Sequence, residues 1–533
     1  MTVSDGLDFC ALNRFYVSNC SFSFHRQYSK IYCLRFNSSK PWLMKEAGRA
    51  WGAIDSERSD SRDLPIRSLN SLVTNERCVI IGTIYKEMKL KPSILRELVA
   101  SESNRTNVDL GTKQPNSLNC LISPDDTVFL EDDVQRILLI FATPCVKQSL
   151  SSTNLATGVV VALLGLEPEK EPGSFCVEDA RFLEPQPERP IVSLPANSMT
   201  SPASCTEFRT SGPWVALVSG LGFTGDGPVS QGHTLALQLL ADWLRCSGDW
   251  SQTETTESGV VRLMILGDSI QSSVTHSSTG PSASSFNQQA RYLTRNTEAD
   301  SVTAMSRLDA WLASLPLGPG HSSSSVVSDG LPVDLLPGCM DATSQLLPQQ
   351  PIHSAAFPLA VARAGGVRHG GLCGRTNPFS CKLLNRKILA TSGQGINDLA
   401  LYTDLAQPCD RMEATLIWGH LAPTCPDTLP GYPLLTKDIL LLEQQSEQTG
   451  MKSKSSADYP DIYVAGCQPG TRATWRRASL KWSERIAANT SKEGALLVAV
   501  PRFCVSHTLV LVHLHTLECR TVRFDTSALD DAQ

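Results

Sequence analysis

No Cys-x-x-Cys pair occurs in this chain of 533 residues, although it carries 17 cysteines. Such pairs open most structural zinc sites, so a zinc ribbon is not expected. The cysteine count is odd and the spacing scattered. The first residues carry Asp5 and Asp8 where a secretory leader would have a basic stretch followed by an apolar one. Reduced thiols in a cytosolic or nuclear protein are therefore expected. Long hydrophobic runs are missing too. The strongest, residues 155–166, has 12 residues and is too short to cross a bilayer. Positive charge is not in excess: 47 Lys and Arg against 53 Asp and Glu give a net charge of −6. Capture of nucleic acid by the whole surface is thereby excluded, because duplex binding relies on clustered Lys and Arg.

What is present is enough chain for two or more domains. An aromatic, basic stretch (Phe24-His25-Arg26-Gln27-Tyr28, then Ile31, Tyr32 and Arg35) reads as a short helix packing its aromatics on a neighbour, or as part of a partner interface. Residues 1–67 are expected to form an N-terminal segment packing on the rest. From 68 to 190 short β-type runs follow one another, at 78–85, 135–140, 158–165 and 175–182. Broken by Gly, Pro and Ser, they predict a small barrel of the OB-fold type. Single-strand binding by such a barrel needs aromatic platforms among positive charges. Here acids are as frequent as bases and aromatics are sparse, so a scaffold is favoured over a nucleic-acid reader.

A Pro- and Ser-rich linker, 191–212, precedes a larger domain at 213–533. Strand patterns at 214–219, 260–266, 332–336, 388–392, 462–465, 495–500 and 508–514 alternate with helices. One helix carries Ala236, Leu239, Leu240, Trp243 and Leu244, another Met305, Leu308, Leu312 and Leu315. That alternation implies a layered α/β domain. Polar segments near 271–288, 317–330, 363–375 and 442–456 read as disordered insertions, too poor in apolar residues to order themselves.

Gly220-Leu221-Gly222-Phe223-Thr224-Gly225 fits G-x-G-x-x-G between a strand and a helix. The dinucleotide reading also needs an acid about 20 residues on, at the end of the second strand. That strand ends near Asp268, too far along, and Asp242 falls within a helix. Phe223 and Thr224 add bulk where a pyrophosphate must approach. A tight glycine turn is the better account, and no cofactor is expected.

The strand ends, taken together, resemble the calcineurin-like metallophosphoesterases with their ligands removed. That superfamily places D-x-H, G-D-x-x-D, G-N-H-[DE], a lone His and G-H-x-H after successive strands, where they hold two metals that clamp a phosphoryl group. Here the positions fall on Ser219 and Leu221; on Asp268 and Gln271; on Cys339, Met340 and Asp341; on His353; and on Gln394 and Ile396. Asp268, Asp341 and His353 are too few for a dinuclear site, so neither bound metal nor hydrolysis is expected.

A degenerate phosphoesterase domain behind an OB-like barrel resembles the B-subunit family of eukaryotic replicative DNA polymerases, most closely its delta branch. The likeness rests on FHRQYSKIY at 24–32, LKPSILRE at 90–97, LEDDVQRI at 130–137 and LPQQPIH at 347–353. TNPF at 376–379, TSGQGIND at 391–398 and APTCPDTL at 422–429 continue it in the same order. The Cys467-Gln468 pair, where that family has Gly-Asn, and the long insertions depart from it. The resemblance implies a nuclear, non-catalytic subunit working in DNA replication and repair. Its implied partners are the cysteine-rich C-terminal module of the delta catalytic subunit and a further accessory subunit that aids sliding-clamp contact. DNA is met at most through the complex, and no membrane is involved. The alternatives are a small subunit of polymerase alpha or epsilon, a phosphoesterase or nuclease with an atypical site, and an independent single-strand binder.

Three other groups have bland readings. His513 and His515 read as half-exposed strand histidines, and Cys373 and Cys381 near His369 fit no zinc spacing. Arg472, Arg476, Arg477 and Lys481, with Trp475 and Trp482, read as a solvated basic helix face or as a contact for DNA or an acidic partner.

Overall fold

The computed structural model describes residues 9–18, 21–25, 28–55, 64–91, 120–141, 152–185, 213–225, 230–246, 259–271, 300–318, 330–366, 370–442, 459–475 and 494–526. Strand β1 (Phe9–Leu12) pairs with nothing nearby. Its partner is a strand some 370 residues later, in the register Phe9↔Leu383 to Leu12↔Ser380. Helix α1 (Ser29–Trp51) is much longer than the short helix expected around residue 28. Ile31, Arg35, Phe36, Ser39, Leu43 and Ala47 recur along one buried stripe, and Gly52, in the left-handed conformation, ends the helix with its N–H on the Gly48 carbonyl.

After β2 (Ala53–Asp55) and β3 (Leu64–Arg67) comes the barrel: β4 (Arg77–Glu87), β5 (Thr127–Glu131), β6 (Arg136–Phe141), β7 (Val160–Leu166) and β8 (Ser174–Arg181). Strand β4 pairs with both β5 and β7. With β6 parallel to β8, the five close in the cyclic order β4-β5-β6-β8-β7. Closure leaves no unpaired edge among the five. Alternation along each strand turns Ile80, Ile84, Leu130, Ile137, Leu139, Leu163 and Phe175 inward.

The larger region is a sandwich of two six-stranded sheets. The first runs β12-β11-β10-β9-β18-β19 and uses β9 (Pro213–Val218), β10 (Gly259–Leu266), β11 (Val333–Leu336), β12 (Leu372–Gly374), β18 (Thr508–His513) and β19 (Cys519–Arg523). The second runs β1-β13-β14-β15-β17-β16 and uses β13 (Phe379–Leu383), β14 (Arg386–Thr391), β15 (Ile462–Gln468), β16 (Arg472–Trp475) and β17 (Leu496–Pro501). Leu217, Met264, Leu266 and Val512 of one face meet Ile388, Val464 and Val498 of the other. Both faces of the central strands are covered, so these read as continuous apolar runs rather than alternating ones. Outside the first sheet lie α2 (Gln231–Cys246), α3 (Asp300–Ser314) and α4 (Pro358–Arg363); outside the second lie α5 (Gln394–Tyr402) and α6 (Pro408–Trp418). Leu399, Ala414, Ile417 and Trp418 of α5 and α6 join the barrel core, so one end of the barrel is closed by the sandwich.

One expectation is corrected. Of the segment 363–375, which was expected to be a disordered insertion, residues 363–366 and 370–375 are described and ordered: β12 pairs in parallel with β11 and Arg375 reaches the buried Asp334 at 2.6 Å, while 367–369 lie outside the described residues. The glycine-rich composition suggested otherwise, but a sheet edge and an ion pair order residues 370–375. The linker at 191–212 lies outside the described residues, as do most of 271–288, 317–330 and 442–456.

Candidate functional site

Parallel β9, β10 and β11 of one sheet and β14, β15 and β17 of the other bring their carboxyl ends together. The joints are short hydrogen bonds. The Ser219 hydroxyl, just past β9, donates to the Pro501 carbonyl at 2.9 Å and accepts from the Cys467 N–H at 2.8 Å. The Gly220 N–H donates to the Gly267 carbonyl at 2.9 Å. Chain ends that converge from two sheets make a natural place for side-chain chemistry.

Asp268 sits at the centre, nine-tenths buried and with φ of 51°. It accepts from the Met340 N–H at 3.2 Å, the Cys339 thiol at 3.4 Å and the Arg502 guanidinium at 3.1 Å. Asp341 is buried beside it and accepts from the Gly338 N–H at 2.7 Å and the Ile270 N–H at 3.0 Å. Burial pushes Asp341 up to about 7, against the pull of those amides, and Asp268 adds to the rise. Cys339 is exposed, but the desolvation of its thiol, with Asp268 adding, pushes it up to about 12, and burial raises Cys467 well above the usual thiol range. Such thiols stay protonated and are poor ligands or nucleophiles.

Ser219, Asp268, Cys339, Met340 and Asp341 thus come together among the candidate residues. Leu221 is fully buried, and only its carbonyl does polar work, accepting from His233 at 2.9 Å. Gln271 borders the cluster, its N–H on the Phe223 carbonyl at 2.7 Å. Gln394 belongs to an adjoining amide network: its side chain donates to Gln349 at 3.0 Å, Asn377 donates to Gln349 at 2.8 Å, and Gln349 donates to the Gly338 carbonyl at 3.0 Å. Ile396 packs in the core under α6. His353 stands apart. Its side chain is exposed and caps the short turn Ser354–Ala356 by accepting from the Ala355 N–H at 3.1 Å. Among the described residues, no three His, Cys, Asp or Glu side chains converge as metal ligands.

Sequence reasoning missed Arg502, 234 residues from Asp268, and the buried amides Gln349 and Asn377. It noted Cys467 and Gln468 only as a departure from a family pattern, yet β15 delivers Cys467 to the cluster and Gln468 to Asn397 of α5. Unbroken apolar β17 running into Pro501-Arg502 was the available signal for Arg502.

A second polar centre joins barrel and sandwich. Arg35 of α1 is buried and donates to Asp438 at 2.8 Å, to Gly158 of the barrel at 3.0 Å, to Pro423 at 2.8 Å and to Cys425 at 2.7 Å. His420 holds the same carboxylate at 2.9 Å. Burial lowers His420 to about 4, so it is neutral at pH 7. Burial alone would raise Asp438; His420 and Arg35 outweigh it and hold the carboxyl well below the usual carboxylate range. Gly158 has φ of 91°, and a Cβ there would stand 2.0 Å from the Pro423 carbonyl oxygen.

The remaining groups divide. His513 is buried, not half-exposed, and lies edge-on to Trp214 at 4.9 Å, while His515 is exposed in the following turn. Cys373 sits on the sheet edge and Cys381 in the core between the sheets; His369 lies outside the described residues. Arg472 and Trp475 are on strand β16 rather than a helix face, and Arg476, Arg477, Lys481 and Trp482 lie outside the described residues.

A five-stranded barrel docked on a helix-flanked double sheet, with a polar cluster at its strand ends, describes a two-part architecture. Residues 27–180 match the family described as the DNA polymerase delta subunit OB-fold domain, and residues 215–470 match the DNA polymerase alpha/epsilon B-subunit family. The chain is 30% identical to DNA polymerase delta subunit 2 of Drosophila melanogaster over 95% of each chain. It is 30% identical to the DNA polymerase delta small subunit of Oryza sativa over 94% of each. The small subunit of Saccharomyces cerevisiae matches at 26% identity, over 94% of this chain and 89% of the relative. This chain belongs to the DNA polymerase delta small-subunit family, the accessory subunits of that polymerase.

Proposed function

We propose that this chain bridges the delta catalytic subunit and a further accessory subunit in the nucleus during DNA replication and repair, without chemistry of its own. The sandwich is read as a calcineurin-like phosphoesterase domain whose centre has degenerated. In support, two sheets flanked by helices end their parallel strands at one cluster, the arrangement that the superfamily's motifs require. The observation that carries the non-catalytic reading is the residue types at the positions the superfamily's motifs would use: Ser219, Leu221, Met340, Gln394 and Ile396 cannot act as anionic or imidazole ligands. Two carboxylates remain, and one of them is already paired with Arg502. The catalytic subunit's cysteine-rich C-terminal module is assigned to the sandwich and the third subunit to the barrel. Clamp contact is then indirect, and DNA is met through the complex.

The test is co-expression of the full chain with the cysteine-rich C-terminal segment of the same organism's delta catalytic subunit. A co-purifying complex that hydrolyses no phosphodiester with Mn2+ or Mg2+ supports the scaffold. Metal-dependent hydrolysis by this chain alone, with no complex formed, would overturn it.

A further inference from the structure

The outside of the barrel is covered unevenly. Alternation along its strands sends every second side chain outward. On β4 and β7 the outward Val79, Ile81, Val160, Ala162 and Leu164 are buried under Phe36, Leu43 and Ala47 of α1. Further along β4, and across β5 and β6, the outward positions hold Tyr85, Phe129, Leu138 and Ile140, each half-buried. The register sets Tyr85 opposite Phe129 and Phe129 opposite Leu138, so three large apolar side chains form one row across three strands. Among the described residues, none of the four joins an apolar cluster. Arg136 stacks over the Tyr85 and Phe129 rings, 5.4 and 5.8 Å from their centroids. Val134, in the turn between β5 and β6, is 74% exposed. An apolar row with a stacked arginine has the composition of an interface centre.

Two observations define what fits this face. The barrel is closed, so β5 and β6 have no free edge to which a strand could be added. Contact must be made through side chains, as α1 makes it on the other side, and a helix laid on the face does so. Charge beside the row is acidic: Glu87, Glu131, Asp132 and Asp133 stand against Arg136, while Lys89 and Asp125 pair with each other at 3.3 Å. Phosphate backbones are repelled there, and Lys and Arg are attracted. Helix α1 has the matching character, with Lys30, Lys40, Lys45 and Arg49 against Glu46 around its apolar stripe. We propose that the outer face of β4, β5 and β6 docks a basic amphipathic helix of a partner protein. Its apolar stripe lies on Tyr85, Phe129 and Leu138, and its Lys or Arg side chains meet Glu131 and Asp133. The choice of the third accessory subunit as that partner rests on the bridging reading; the chemistry of the surface does not.

The experiment compares the full wild-type chain with Phe129→Asn/Leu138→Asn, which removes the apolar row, and with Glu131→Lys/Asp133→Lys, which reverses the charge beside it. Urea midpoints check that each variant folds. Isothermal titration uses a helical peptide of Leu and Lys in amphipathic spacing, the same peptide with Glu for Lys, and a single-stranded oligo(dT). The third accessory subunit is titrated separately. Wild type is expected to prefer the Leu/Lys helix, and both variants to bind it at least about tenfold more weakly. Should the apolar variant fail to fold, the charge variant decides alone. Equal affinity of wild type and variants for the Leu/Lys helix overturns the proposal, as does a wild type that binds the Leu/Glu helix equally well. So does oligo(dT) binding that Phe129→Asn/Leu138→Asn abolishes, which would make the face a nucleic-acid platform. A third subunit whose binding weakens in step with the peptide joins this surface to the bridging reading. A third subunit that ignores both variants, or never binds wild type, refutes the placement of that subunit on the barrel and leaves the peptide result to decide the surface.

Discussion

Arg35 and Arg502 each carry a guanidinium to a buried aspartate, and they differ in what surrounds the pair. The Arg35 side chain is 1% exposed and four acceptors take up its donors, three of them backbone carbonyls from the barrel and from the 423–425 loop. The Arg502 side chain is 46% exposed and, among the described residues, bonds through its guanidinium to Asp268. The first arrangement cannot be exchanged for solvent without exposing the joint between two domains. The second faces water on one side. Burial of the cation, rather than the presence of an ion pair, separates a structural lock from a half-exposed pair.

Breaking the lock should have the largest effect. Arg35→Met strands the Asp438 carboxylate, and removal of one partner from a buried pair costs about 3–5 kcal/mol. Urea unfolding of this variant should start earlier and split into separate barrel and sandwich transitions; a single wild-type-like transition would refute the assignment. Gly158→Ala attacks the same joint by sterics alone. Overpacking at a left-handed glycine pressed on Pro423 should cost about 1–3 kcal/mol, read as a lower urea midpoint with an unchanged slope.

Titration of the lock follows from its two shifted groups. His420 falls to about 4 from the usual 6.5, so its neutral form is favoured on folding. Stability is full above 6.5 and is lost as pH falls through that value toward 4, because the unfolded chain takes up a proton the folded one refuses. Asp438, held low, contributes above its unfolded value of 3.8 and is lost below it. Asp341 has the opposite sign. Raised from 3.8 to about 7, it opposes folding increasingly as pH rises across that window. His420→Gln should therefore flatten the acid limb between 6.5 and 4, and Asp341→Asn should flatten the slope from 4 to 7, both measured by denaturation at stepped pH. At the strand-end cluster, Asp268→Asn should have the smallest effect, about 1 kcal/mol or less, because the half-exposed partner regains water. A loss as large as that of Arg35→Met would erase the distinction between the two pairs.

Strands and helices with strong apolar patterns were legible in the sequence, including four of the five barrel strands and two of the three helices outside the first sheet. Strand β5 was not, since TVFLE runs into the acidic Glu131-Asp132-Asp133 and resembles a loop. Short edge strands were lost for the same reason: β12 has three residues, and β1 finds its pair only through the completed fold. Asp268, Cys339 and Asp341 were legible because each follows a strand. Arg35 was named only as part of an aromatic, basic stretch; its buried role was not legible, because it depends on the segments around 158, 423 and 438 closing over it. Arg502 and Gln349 belong to the cluster through contacts between the two sheets, and periodicity along one segment carries no record of them.

Bridging is tested most directly by mixing the full chain with the catalytic subunit's cysteine-rich segment and with the third accessory subunit, and weighing the products by native mass spectrometry. The account predicts a complex in which one copy of this chain carries both partners at once, and no association of the two partners when it is left out. Partners that assemble without this chain, or that displace each other from it, would contradict the account.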